Sequence, residues 1–146
     1  MRYVLIGIGA LFAVIFLFSV FTMDQEESNS SPTLKIGDAS LEIEIVDMID
    51  QQILGLSGRE SLPENAGMLF VYNSSGNPGI WTKNMNFAID IIWIDKDREV
   101  LEITSNVSPD TYPTIFRSQD PILYILEVNA GWSETNNINV GDNIVL

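Results

Sequence analysis

The stretch WTKNMNFAID gathers Trp81, Lys83, Asn84 and Asp90, a large amphipathic ring beside an ammonium, an amide and a carboxylate. Convergent polar groups of this kind, rimmed by an aromatic side chain, are what a small-ligand site uses to orient its guest. A second chemistry is hydrolysis using Lys83 or Asp90, in which Lys83 would act as base toward a Ser or Thr nucleophile. A lysine beside a carboxylate holds its proton more tightly, which counts against it as a base. The third reading has no chemistry: Asp90 is charged against Lys83 or Arg59, Asn84 bonds backbone, and the network pins strand register. Arg59 is expected to be a fixed ion-pair partner for an acidic residue. The candidate ligand-binding residues are therefore Trp81, Lys83, Asn84, Asp90 and Arg59.

These side chains need a frame, and the apolar pattern supplies one. In Ala88–Ile94, Ile89, Ile91 and Trp93 share one parity while Ile92 and Ile94 share the other. Such a strand is buried on both faces and belongs in the middle of a sheet. Ser40–Asp47 alternates Leu41, Ile43 and Ile45 with Glu42 and Glu44, as a half-exposed strand does. Met68–Tyr72, Ile80–Met85, Glu99–Val107, Ile122–Asn129 and Asn143–Leu146 also read as strands, with Asp95–Arg98 a tight hairpin connection. Met48–Leu56 fits a short helix capped by Asp50, and Gly131–Val140 a turn or short helical link. Asn73–Gly79 and the proline-rich Ser108–Pro121 read as irregular surface segments. Glu127 lies within the apolar strand ILYILEV: pointing inward it needs Arg59 or Lys83, pointing outward it is simply solvated. The expected fold is mainly β with a short helix, a small barrel-like domain.

The N-terminus differs in kind. Val4 to Phe21 carries no charge over 18 residues, a length of roughly 27 Å as a helix, close to the apolar thickness of a bilayer. Arg2 precedes it, while Asp24, Glu26 and Glu27 follow. That asymmetry predicts a single-pass membrane anchor with a cytoplasmic N-terminus and an extracytoplasmic C-terminal domain. A cleaved signal peptide is the competing reading, but Phe18, Val20 and Phe21 crowd the place where small residues would be needed. The expected organisation is an anchor over residues 1–23, a polar linker over 24–33 and one β domain over 34–146. Sequons at Asn29, Asn73 and Asn106 would be open to glycosylation on an external domain.

Composition narrows the chemistry further. With no His and no Cys, disulfides, thiol catalysis and an ordinary zinc site are excluded. No cofactor or metal is expected; Asp95, Asp97 and Glu99 lack the glycine and distant glutamate of a calcium loop and read as a solvated hairpin tip. The net charge is −13, so a nucleic-acid partner is not expected. The partners expected are the membrane and a small ligand or peptide. A structural envelope role, docking through the acidic surface, is a further alternative.

Four separated blocks, GLSGRESLPENAGMLFVY, WTKNMNFAIDIIWID, YILEVNAGW and the closing VGD, resemble the DUF192 family, also called UPF0127. The resemblance spans Leu41 to Leu146 and implies a small β-barrel-like domain, often secreted or membrane-attached, with no established activity. The family's Trp-Met-Lys-Asn block matches Trp81, Lys83 and Asn84, with Thr82 in place of Met and Met85 in place of the following Thr. Its Leu-Asp-Ile aspartate matches Asp90. Its Gly-Leu-x-x-Arg matches Gly55, Leu56 and Arg59, and its Leu-Glu-x-x-Ala-Gly matches Leu126, Glu127, Ala130 and Gly131.

Overall fold

Seven strands pair in the order β5-β4-β6-β3-β2-β1-β7, in a computed structural model that describes residues 31–146. They are β1 (Thr33–Ile36), β2 (Ala39–Val46), β3 (Ala66–Gly76), β4 (Ile89–Ile94), β5 (Val100–Val107), β6 (Ile122–Asn129) and β7 (Ile144–Val145). Only β2 and β3 run parallel; the other neighbours are antiparallel. The sheet curls, because its two edge strands meet at one end. Glu99 bridges Asn143, Val100 N–H donates to Asp142 O at 2.8 Å, and Ile144 N–H donates to Arg98 O at 2.9 Å. The result is a half-closed barrel of β strands, with two short helices, α1 (Ile49–Leu54) and α2 (Trp132–Thr135), and one 3-10 turn at Pro109–Thr111.

The parity read from β4 is realised side chain by side chain. Ile92 and Ile94 join Leu34, Leu69, Leu126 and Val128 in the core inside the curl. Ile89, Ile91 and Trp93 join Met68, Phe70 and Ile125 in a second core on the opposite face. All six residues of β4 are buried, as expected of a strand flanked on both sides, here by β5 and β6. Inside the curl space is short at Gly67: a Cβ there would lie 2.9 Å from both Leu41 Cδ1 and Leu126 Cδ1 and 3.1 Å from the Glu127 carbonyl oxygen, so any side chain would have to displace both leucine ends.

Four local readings are corrected. Ile80–Met85 is not a strand: only Ile80 bridges, to Phe116, and Asn84 adopts a left-handed φ of 57° that turns the chain back. β3 runs on to Gly76 through an irregularity after Val71, into the expected Asn73–Gly79 loop. β1 begins at Thr33, inside the expected linker. Asp50 lies in the first turn of α1, whereas Met48 holds the cap position and makes no side-chain capping bond. No helix among the described residues is long and apolar enough to cross a membrane; the expected anchor over residues 1–23 and nearly all of the 24–33 linker lie outside them.

Candidate functional site

Buried carboxylates mark the two places where this sheet departs from an apolar core. Asp90 has no solvent exposure, and its partners are not the cations expected for it. Oδ1 accepts from the Asn106 N–H at 2.9 Å and the Gly131 N–H at 3.1 Å, and Oδ2 accepts from the Ser133 N–H at 3.0 Å. Three main-chain donors satisfy the group and tie β4 to the end of β5 and to the start of α2. The donors can converge because Asn106 and Gly131 both hold left-handed backbone angles, 56° and 81°. Asp90 is a structural clasp.

The remaining expected site residues stand apart from it. Arg59 pairs with Glu44 at 2.7 Å on the surface, so an ion pair forms there with a different acid. Lys83 is exposed and has no ion pair with any carboxylate among the described residues. The proposed Lys83–Asp90 or Arg59–Asp90 network is therefore absent, because backbone amides take the role assigned to the cations.

The WTKN segment works instead through its main chain. Gly58 N–H donates to Asn84 O at 2.8 Å, Ser57 Oγ donates to Lys83 O at 2.7 Å, and Asn86 Nδ2 donates to Arg59 O at 2.7 Å. These bonds staple the turn after α1 to the segment carrying Trp81. Thr82, buried, bonds Pro109 O and Thr111 Oγ1, both at 3.1 Å, and fixes the other side of that segment. Asn84 suits its position because asparagine tolerates the left-handed region. The hairpin tip is likewise structural, with Asp95 Oδ1 accepting from the N–H groups of Asp97 and Glu99.

The staples frame a cleft. It has a volume of about 170 Å³, with Leu56, Phe70, Tyr72, Ile80, Trp81 and Met85 among its walls and Glu127 in its lining. Helix α1 leans over it without burying any residue of its own. Gln52 secures the helix, donating from Nε2 to Val71 O at 2.9 Å and Val46 O at 3.2 Å. Around the mouth Ile49, Ile53 and Leu54 stay largely exposed. Of the expected residues only Trp81 lines this cleft, at 38% exposure.

Glu127 is the group that sequence reasoning left undecided. It pairs across the sheet with Met68 on β3 and Ile91 on β4, so its side chain enters the second core and is 3% exposed. Its Oε2 is buried without a hydrogen-bond partner among the described residues. Burial pushes its carboxyl up to about 8, against a smaller downward pull from the Arg59 guanidinium. Arg59 acts from a distance: its partner Glu44 lies opposite Met68, which lies opposite Glu127. Tyr72, also lining the cleft, is raised to about 12 by burial and by the nearby Glu127. The signal was available. A strand apolar on both parities buries its one acid whichever way that acid points.

Two solved structures share the fold. One, from Sinorhizobium meliloti 1021, is described as a putative transcription regulator; it has 25% identity and a TM-score of 0.74, over 77% of this chain and 91% of that one. The other, a protein of unknown function from Novosphingobium aromaticivorans DSM 12444, has 25% identity and a TM-score of 0.75, over 83% and 90%. No curated protein matches the chain. The DUF192 family model, described as Uncharacterized ACR, matches residues 32–146, nearly the whole of the described fold. This chain belongs to the DUF192 family.

Proposed function

We propose that the protein is a membrane-anchored, extracytoplasmic binding module that takes a small ligand or peptide in the cleft beside Trp81. The observation that carries this reading is an apolar concavity with a single orphaned buried acid in its lining. Native interiors rarely leave such a group unsatisfied, and a cleft lined with aromatic residues is where small molecules bind. The exposed Ile49, Ile53 and Leu54 extend the apolar surface outward from the mouth, enough for a ligand body or a peptide segment to rest on. The anchor rests on the uncharged run Val4–Phe21 and its charge asymmetry.

A hydrolytic role for Lys83 and Asp90 has little support, since Asp90 is occupied by amides and Lys83 does not line the cleft. An envelope role through the acidic surface rests on charge alone. The test of the binding reading is a thermal-shift screen of small molecules and short peptides on the 146-residue chain and on its Trp81→Ala variant. Compounds that raise the melting temperature of the parent and not the variant support it. A screen whose stabilising compounds act equally on both overturns it. For the anchor, the chain should stay with membranes after alkaline washing, with its C-terminal domain open to external protease; release into the soluble fraction would contradict it.

A further inference from the structure

We infer that the cleft is an alkylammonium site, in which Glu127 receives a protonated amine carried on a short apolar stem between Phe70, Tyr72 and Trp81. The inference rests on the cleft being a binding site, as proposed above, and adds the chemistry of its guest. The buried Oε2 of Glu127 has no hydrogen-bond partner among the described residues; once ionised the carboxylate can only accept, and an ammonium offers it up to three donors. Among the described residues no Lys or Arg lines the cleft, and the ionisable side chains in its lining are the acids Glu127 and Tyr72. The chain as a whole carries −13, and that field concentrates cations and turns carboxylates away. Phe70, Tyr72 and Trp81 line the same cavity, and aromatic faces attract cations there more strongly than in water.

Size narrows the class. The cavity holds about 170 Å³, close to an apolar cavity of about 150 Å³ that accepts benzene and below the roughly 300 Å³ at which drug-sized sites begin. An ammonium on a stem of about four to six carbons fills such a space. Any further part of the ligand would lie over Ile49, Ile53 and Leu54 at the mouth. The same group comes from two sources, a free alkylamine or the lysine side chain of a peptide.

The site holds its acid cheaply, because a carboxyl with a pKa near 8 keeps its proton at neutral pH. Binding then joins R–NH₃⁺ to the Glu127 carboxylate and releases the carboxyl proton to solvent. The charged group that acts on Glu127 is Arg59, from the turn after α1, and Glu127 in turn raises Tyr72 on β3. Its cross-strand neighbours Met68 and Ile91 are apolar, and α1 contributes the uncharged Gln52 to the cleft.

The test is calorimetric titration of the 146-residue chain at about pH 7 with n-hexylamine, n-hexanol, hexanoate and Nα-acetyl-lysine amide, in buffers of different ionisation heat, where roughly one proton should be released per amine bound. Hexylamine should bind at least about tenfold more tightly than hexanoate or hexanol, and Glu127→Gln should remove that advantage. In the unmodified protein, hexylamine affinity should rise about tenfold or more from about pH 6 to pH 8, a readout that needs no variant. Binding of acetyl-lysine amide at an affinity matching hexylamine assigns the peptide source; binding of hexylamine alone assigns a free amine. Equal binding of hexanol, hexanoate and hexylamine, or no effect of Glu127→Gln, overturns the ammonium assignment and leaves the cleft standing. If none of the probes binds, the ammonium assignment falls, and the ligand screen with Trp81→Ala judges the cleft separately.

Discussion

Asp90 and Glu127 stand on the neighbouring strands β4 and β6, both closed to solvent, and they face opposite sides of one sheet. Asp90 meets three backbone N–H groups, while Glu127 leaves an oxygen with no partner. Equal burial therefore has unequal meaning. The satisfied acid holds elements together, and the unsatisfied one faces a cavity with room for something else. A buried acid on its own does not indicate a site; a buried acid whose bonding is incomplete, set against a cavity, points to one.

Substitutions at the two acids should separate these roles. The largest effect is expected from Asp90→Ala, which strands three amide donors and should cost roughly 3 kcal/mol or more, lowering the melting temperature by roughly 10 °C. Asp90→Asn keeps one acceptor oxygen and should lose less.

Glu127→Gln should behave in the opposite way, and its sign follows from the shift. The folded carboxyl titrates at about 8 against an ordinary 4.5. The protonated form is thus favoured by folding, with that stability fully present below about pH 4.5 and lost as pH rises through about 8. Chemical denaturation at several pH values should show the parent weakening relative to the Gln variant across this window, by on the order of a few kcal/mol. A parallel pair of curves would mean that Glu127 is solvated or paired.

Trp81→Ala should cost less, about 1 to 2 kcal/mol for a ring only partly withdrawn from water, while ligand binding disappears. Lys83→Ala should change stability by less than about 0.5 kcal/mol, because its side chain is exposed and its structural contribution is the carbonyl accepting from Ser57. A melt comparable to that of Asp90→Ala would restore the Lys83–Asp90 pairing.

Much of the frame was legible because strand patterning is local. The two faces of β4, the hairpin to β5, the strand β6 and the short helix α1 all follow from residue order. The site was only partly legible, for a physical reason. Side-chain types announce ion pairs, and Lys83, Arg59 and Asp90 look like one; main-chain donors carry no letter of their own. Only Asn106 and Gly131, residues at ease with positive φ, hinted that the backbone could turn its amides toward Asp90. Asn84 reads as a polar ligand-binding group, and what the fold adds to that reading is a left-handed backbone angle and a carbonyl that accepts from Gly58. Trp81 does line a concavity, since a large ring beside a turn has few other places to go. The facing of Glu127 was treated as open, when the apolar residues on both parities of β6 had already closed it.

The most direct measurement is the titration of the Glu127 side-chain carboxyl, followed by carbon-13 NMR with Glu127→Gln to assign its resonance. A midpoint close to 8 in the free protein, falling when n-hexylamine is added, is the expected result. A midpoint in the ordinary glutamate range, indifferent to the amine, would contradict the orphaned acid on which the cleft's chemistry depends.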